Sequence, residues 1–240
     1  MKLNSFIAVI VIFFSSLNLF AGRLHITIKY LGLNVVYVTM EDNDNELKIK
    51  AESSALAGIA ASMDNQYFSA YENDYLPLYY RKVIDQRGYQ EDRIINYDRD
   101  RGVAYRTSYI DTLRNCSYPI HPETRDFFSA LFFICQNFNE LGGTLWLDAN
   151  KLIWKADYEI VGLDRISSYA GKKEAVQLKL DFSRISEGKA ERSDMLTNNL
   201  VTAENSLYLW ISNDEKRLPL KAEFSMKPFS VVWKMTAYEE

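Results

Sequence analysis

Histidine is almost missing from this sequence: only His25 and His121 occur in 240 residues. Zinc and non-haem iron centres ordinarily recruit two or three imidazoles or thiolates, so no metal and no other cofactor is expected. Neither histidine stands near a nucleophile-elbow pattern such as G-x-S-x-G, which leaves Ser/His/Asp or Cys/His catalysis without a natural base. A basic excess is also lacking, since 28 Lys and Arg face 32 Asp and Glu for a net charge of -4. That balance argues against nucleic acid and against an electrostatic footprint on an anionic membrane, both of which need clustered cations. No Pro/Gly/Ser-rich linker and no repeat of fixed period interrupts the chain, so residues 22–240 read as one β-rich domain.

Long apolar runs are scarce as well. The one that stands out, Phe6 to Phe14, follows Lys2 and gives way to Ser15, Ser16 and Asn18 before Ala21. This is the layout of a secretory signal peptide over residues 1–21, too short and too interrupted for a spanning helix. No cysteine lies beside the expected cleavage point, so a lipid-anchored N-terminus is not indicated. The expected location is the periplasm or another exported compartment. Cysteine is limited to Cys116 and Cys135. In an oxidising compartment the two could pair as a disulfide worth about 3 kcal/mol by loop entropy, and the competing reading is a buried apolar Cys135 with a loop thiol at 116.

What is abundant is alternation and aromatic bulk. Leu24, Ile26, Ile28 and Tyr30 alternate with His25, Thr27 and Lys29; Leu47, Ile49 and Ala51 alternate with Lys48 and Lys50. Similar period-two patterns recur through Trp154–Ile160, Val176–Phe182 and Leu220–Met226, separated by charged turns, which is the signature of an antiparallel meander of about a dozen strands. Ala55 to Met63 reads as one short helix, and Ser186 to Asn199 as a mobile polar loop. The exception to the β rhythm is Thr124 to Glu140. On a helix its Phe127, Phe128, Leu131, Ile134, Cys135 and Phe138 cover a broad apolar arc, with Thr124 as N-cap, Asp126 in the first turn and Gly142 as stop. A rod apolar over most of its circumference needs a surface that wraps it. The expected fold is therefore mainly β: a curved antiparallel sheet or partly open barrel with one helix packed on the concave face.

Several stretches resemble an uncharacterised family of exported bacterial proteins, a domain of unknown function found mostly in Gram-negative species. They are Y-L-G-L-N from Tyr30, L-P-L-Y-Y from Leu76, I-I-N-Y-D from Ile94, R-D-F-F-S-A-L-F-F-I from Arg125, V-G-L-D-R-I from Val161, and L-W-I-S-N-D-E-K-R-L-P-L from Leu209. The resemblance covers nearly all of the chain after Ala21 and implies an exported, largely β protein with no assigned reaction. The implied architecture looks like that of envelope lipoprotein carriers, a likeness of fold that does not by itself carry function.

Apparent chemical motifs dissolve on inspection. Asp42, Asp44 and Glu46 could suggest calcium, but an EF-hand needs Gly and Glu where Leu47 and Ser53 stand. Ser186 and Lys189 form an S-x-x-K without its companion motifs. The reading is thus a non-enzymatic exported protein, with no catalytic or metal residues, that binds an apolar small molecule, lipid or acyl chain between sheet and helix. Phe128 and Phe132 on the helix, with Tyr79, Trp146 and Trp154 at sheet positions, are the candidate ligand-binding residues, weighed against simple core filling. Two alternatives stand beside it: a structural or assembly protein that meets an envelope partner through Tyr71, Tyr75 and Tyr79, and a hydrolase built on His121 or a carboxylate pair. The sequence leaves oligomeric state open.

Overall fold

A computed structural model describes residues 22–240 apart from 190, 192, 198, 199, 227 and 228; the expected signal peptide, residues 1–21, lies outside the described residues. The first half of the chain runs through β1 (Gly22–Tyr30), β2 (Leu33–Asn43), β3 (Glu46–Ser53), α1 (Ala55–Ala60), β4 (Met63–Glu72), β5 (Leu76–Gln86), β6 (Tyr89–Asp98), β7 (Val103–Ser108) and β8 (Cys116–Pro119). The second half continues with β9 (Thr124–Arg125), α2 (Phe127–Asn137), β10 (Gly143–Ala149), β11 (Leu152–Ser168), β12 (Gly171–Arg184), β13 (Leu207–Ser212), β14 (Pro219–Met226) and β15 (Phe229–Glu239). All fifteen strands belong to one sheet, antiparallel at every pairing except β9 with β10.

The strand order makes the sheet a barrel that stops short of closure. β1 lies at its middle, paired with both β2 and β15, while β8 and β9 occupy opposite edges although residues 120–123 alone separate them in sequence. Side chains bridge that seam: Tyr118 of β8 donates to Asp148 of β10 at 2.5 Å, and Arg99 donates to the carbonyls of Pro122 and Thr124. Alternation sets the faces as the pattern predicts, with Leu47, Ile49 and Ala51 buried and Lys48, Lys50 and Glu52 exposed.

α2 packs on the concave face and is buried nearly all round, through Phe128, Ala130, Phe132, Ile134 and Cys135. Its start differs from the predicted one. Thr124 and Arg125 are used as β9, alongside Trp146 and Leu147, so the N-cap is Asp126, whose carboxylate accepts from the Phe128 and Ser129 amides at 2.9 and 3.1 Å. The helix ends at Asn137, and Gly142 turns the chain at φ 81°, where a Cβ would sit 2.5 Å from the Tyr158 carbonyl oxygen. α1 is the short helix expected, capped by Ser54, which accepts from the Ala57 amide.

The barrel is also filled by a second segment. The segment between β12 and β13, expected as a mobile polar loop, turns inward and buries Ser193, Asp194, Leu196, Thr197, Leu200 and Val201. Its polar side chains find charged partners inside the sheet, which is why hydrophilic composition did not keep it on the surface. Among the described residues no helix is long and apolar enough to cross a membrane.

Candidate ligand-binding site

The two fillings leave an apolar cleft of about 340 Å³ at the end of the barrel where α1 sits. Ile28 and Tyr30 of β1 and Val35 and Val36 of β2 form one wall, and Phe224, Val231 and Trp233 of β14 and β15 continue it. Ala57 and Ala60 of α1, with Met63 at the start of β4, close a second side; small alanines leave room where larger residues would fill it. Met195 and Leu196 of the inward segment supply the third. No charged side chain occurs among the described residues lining the space, so the cleft offers burial and little else. Pockets of this size and apolarity are typical of sites for small apolar ligands.

A buried polar network holds the third wall in place. Asp194 accepts from the Leu196 and Thr197 amides at 2.9 and 2.8 Å, from the Tyr67 hydroxyl at 2.8 Å, and faces Lys82 Nζ at 2.6 Å. Burial alone would raise this carboxyl; the Lys82 charge and the donated hydrogen bonds outweigh it and hold it well below the usual carboxylate range. The Met195 amide donates to Gln86 at 3.2 Å, which fixes the residue that lines the cleft. Lys82 also donates to Ser193 and Thr197. The network runs on along β6 and β7, where Glu91 accepts from Arg93, Arg106 and Arg114 at 3.1–3.2 Å, and Glu191 accepts from Arg106 and Lys151 at 2.7 and 2.6 Å. Between the network and Phe127 lies a cavity of about 20 Å³ lined by Tyr80, Lys82, Arg93 and Asp148, room for one water.

None of the five aromatic candidates lines the cleft. Phe128 and Phe132 are core residues, their rings 5.0 Å from Tyr67 and 5.9 Å from Tyr75. Trp146 stacks on His121 with ring centroids 4.1 Å apart, and Trp154 and Tyr79 are half-buried at separate sheet positions. Phe128 and Phe132 are thus packed against the protein's own rings, and the cleft of about 340 Å³ lies beside α1 instead. The expected disulfide is absent: Cys116 and Cys135 are free. Cys135 is turned into the core near Tyr75 and Arg217, whereas Cys116 sits on edge strand β8 beside Arg106. The proposed surface patch is not formed either, because Tyr71 and Tyr75 are buried and both donate to Asp42, at 2.5 and 2.9 Å. His25 pairs with Glu239 at 3.2 Å on the surface, so neither histidine meets the cleft.

The polar network went unread in the sequence, yet a signal existed. Glu91, Arg93, Ile95 and Tyr97 share one parity on β6, and the last two are plainly core types, which puts the charges on the same inward face. The cleft had a signal too: Leu31 to Val36 and Ala55 to Met63 carry no charge in a chain that is 25% charged.

Comparison with known proteins supports the fold and is silent on chemistry. A β-barrel-like protein of the domain of unknown function DUF1849 from Brucella abortus matches with a TM-score of 0.58 at 8% identity, over 91% of this chain and 95% of that one. A candidate exported protein with a YmcC-like fold from Bacteroides fragilis (9% identity, TM-score 0.35, 92% and 96% covered) and a candidate lipoprotein from Parabacteroides distasonis (9%, 0.36, 91% and 95%) align at scores too low to carry an argument. No curated protein matches the chain. The model of a family described as protein of unknown function, DUF3108, matches residues 25–231.

Proposed function

The chain belongs to the DUF3108 family of proteins of unknown function, and from that premise we propose that it is an exported, non-enzymatic protein that binds an acyl chain or other apolar tail in the cleft beside α1. The observation that carries this reading is the cleft itself: about 340 Å³, walled by aliphatic and aromatic side chains. Burying a methylene there is worth about 0.8 kcal/mol, so a single chain gains affinity without any directed polar contact. The absence of a charged lining favours binding over catalysis, because a reaction would need an acid, base or nucleophile at the ligand. Export rests on the sequence pattern of residues 1–21, and the periplasm is the compartment that pattern favours.

The test is titration of the mature chain with a soluble fluorescent fatty acid, beside native mass spectrometry of protein purified from the envelope. Saturable uptake, reduced at least tenfold by Ala57→Trp with the circular dichroism spectrum unchanged, is the expected result. Uptake no greater than that of an unrelated exported protein would remove the reading.

A further inference from the structure

The rim of the cleft is apolar and points outward. Leu31 and Leu33 at the β1–β2 turn are each more than half exposed, Leu56 and Ile59 project from α1, and Phe229 stands at the start of β15. None of these side chains lines the cleft itself, but each stands within two residues of one that does: Tyr30, Val35, Ala57, Ala60 or Val231. Tyr30 pairs with Val231 across β1 and β15, the Phe229 ring lies 6.1 Å from Tyr30, and Ser54 at the head of α1 bonds the carbonyls of Asn34 and Val35 at 2.8 and 2.9 Å.

Two independent features set this rim apart from scattered surface leucines. Leu31 adopts φ 54° in a two-residue turn with Gly32 at φ 75°, positions that Asn and Gly fill without the steric cost that a leucine incurs. Backbone strain at an exposed apolar hairpin tip is an outlier of the kind that motivates a functional hypothesis. The rim segments are also stripped of acid: residues 31–36, 55–63 and 224–233 contain no Asp or Glu and a single basic residue, Lys227, although the chain as a whole carries net negative charge.

We propose that this rim docks on a lipid bilayer, seating Leu31, Leu33, Leu56, Ile59 and Phe229 among the acyl chains at the interface. The proposal rests on the cleft reading above and deepens it, since it names a membrane lipid as the source of the tail. An apolar chain that crosses water to reach the cleft loses the transfer free energy of every exposed methylene; a rim seated in the bilayer makes the path from membrane to Trp233 continuously apolar. A protein partner on the same surface would have to supply such an apolar path from its own side chains, whereas bilayer hydrocarbon is one already. Rim segments free of acid and carrying Lys227 as their single charge act chiefly through apolar burial, so the overall acidity of the chain does not oppose docking on a zwitterionic surface.

The experiment is flotation of the mature chain with phosphatidylcholine vesicles, run in parallel with uptake of the soluble fluorescent fatty acid. Wild type is expected to float, and Leu31→Asn with Ile59→Asp to lower the bound fraction at least tenfold while leaving fatty-acid uptake within twofold. Leu31→Asn alone, which suits the turn better than leucine, is expected to raise the melting temperature and still weaken flotation, an opposition that a purely structural role would not produce. Ala57→Trp should float normally and lose uptake. Flotation of wild type without uptake would support the docking surface and overturn the cleft reading. Unchanged flotation of the rim variants, or a wild-type dimer that the rim variants convert to monomer without any vesicle binding, would overturn the docking proposal.

Discussion

Lys82 and Asp194, far apart in sequence, meet at 2.6 Å with neither side chain more than 2% exposed. The pair joins β5 to the segment that forms the third wall of the cleft, so it contributes to local stability and to cleft shape together with the hydrogen bonds from Tyr67 and to Gln86. Removing one partner of a buried pair leaves an uncompensated charge and costs about 3–5 kcal/mol. Lys82→Met is therefore expected to lower the urea midpoint strongly, and Lys82→Met with Asp194→Asn to recover most of the loss, since the amide oxygen still accepts from the Leu196 and Thr197 backbone. Equal midpoints for the single and double variants would show that the charge is not the issue.

Asp42 gives the protein a stability term that falls as pH rises. Burial raises its carboxyl to about 6, and the hydrogen bonds from Tyr71 and Tyr75 offset only part of that rise. Unfolded, the group titrates near 3.8, so between the two values the folded chain holds a proton that the unfolded chain has released. Stability from this group is full below about 4, declines through about 6 and is then lower by about 3 kcal/mol. Denaturant midpoints of wild type and Asp42→Asn at pH 4.5 and 7 isolate the effect; the variant should lose this part of the difference, and an identical pH dependence in both would contradict the assignment.

The cap of α2 is tied to the sheet as well as to the helix. Asp126 accepts from the hydroxyls of Ser129 and Ser69 at 2.5 and 2.9 Å in addition to its two amides. Helix caps are worth about 0.5–2 kcal/mol, and loss of a buried acceptor for several donors puts Asp126→Ala at or above the upper end. Calorimetry should show Asp126→Asn much closer to wild type; equal losses in the two variants would mean the acceptor oxygen is not what matters.

Both cysteines are thiols of very different reach. Cys135 is buried and its burial pushes the thiol well above the ordinary range, whereas Cys116 is half-buried on an edge strand. Mass spectrometry after alkylation at neutral pH should find one modification in the folded protein, at Cys116, and two after denaturation. Labelling of neither residue in the unfolded, unreduced chain would indicate a bridge.

The Brucella neighbour, at 8% identity with a TM-score of 0.58, illustrates how little identity such a fold demands. Period-two alternation in β1, β3 and β11 was readable because each strand has one face in the core, and α2 was readable because a nearly all-apolar rod has no other stable place than inside a wrapped sheet. Its cap was misplaced by two residues because β9 pairs with β10, a contact that local propensity does not register.

Taken alone, then, the sequence determined the strand rhythm and the single wrapped helix, both of which follow from neighbours a few residues apart. Only the tertiary structure decided that Arg106 joins Glu91 and Arg93 in one buried network, that Asp194 carries a polar segment into the barrel to meet Lys82, and that the cleft of about 340 Å³ is bordered by α1 rather than α2. Each of these depends on charges or volumes contributed by distant parts of the chain. A buried ion pair is favourable only once both partners are in place, and a cavity is the remainder when separate elements fail to fill a common interior.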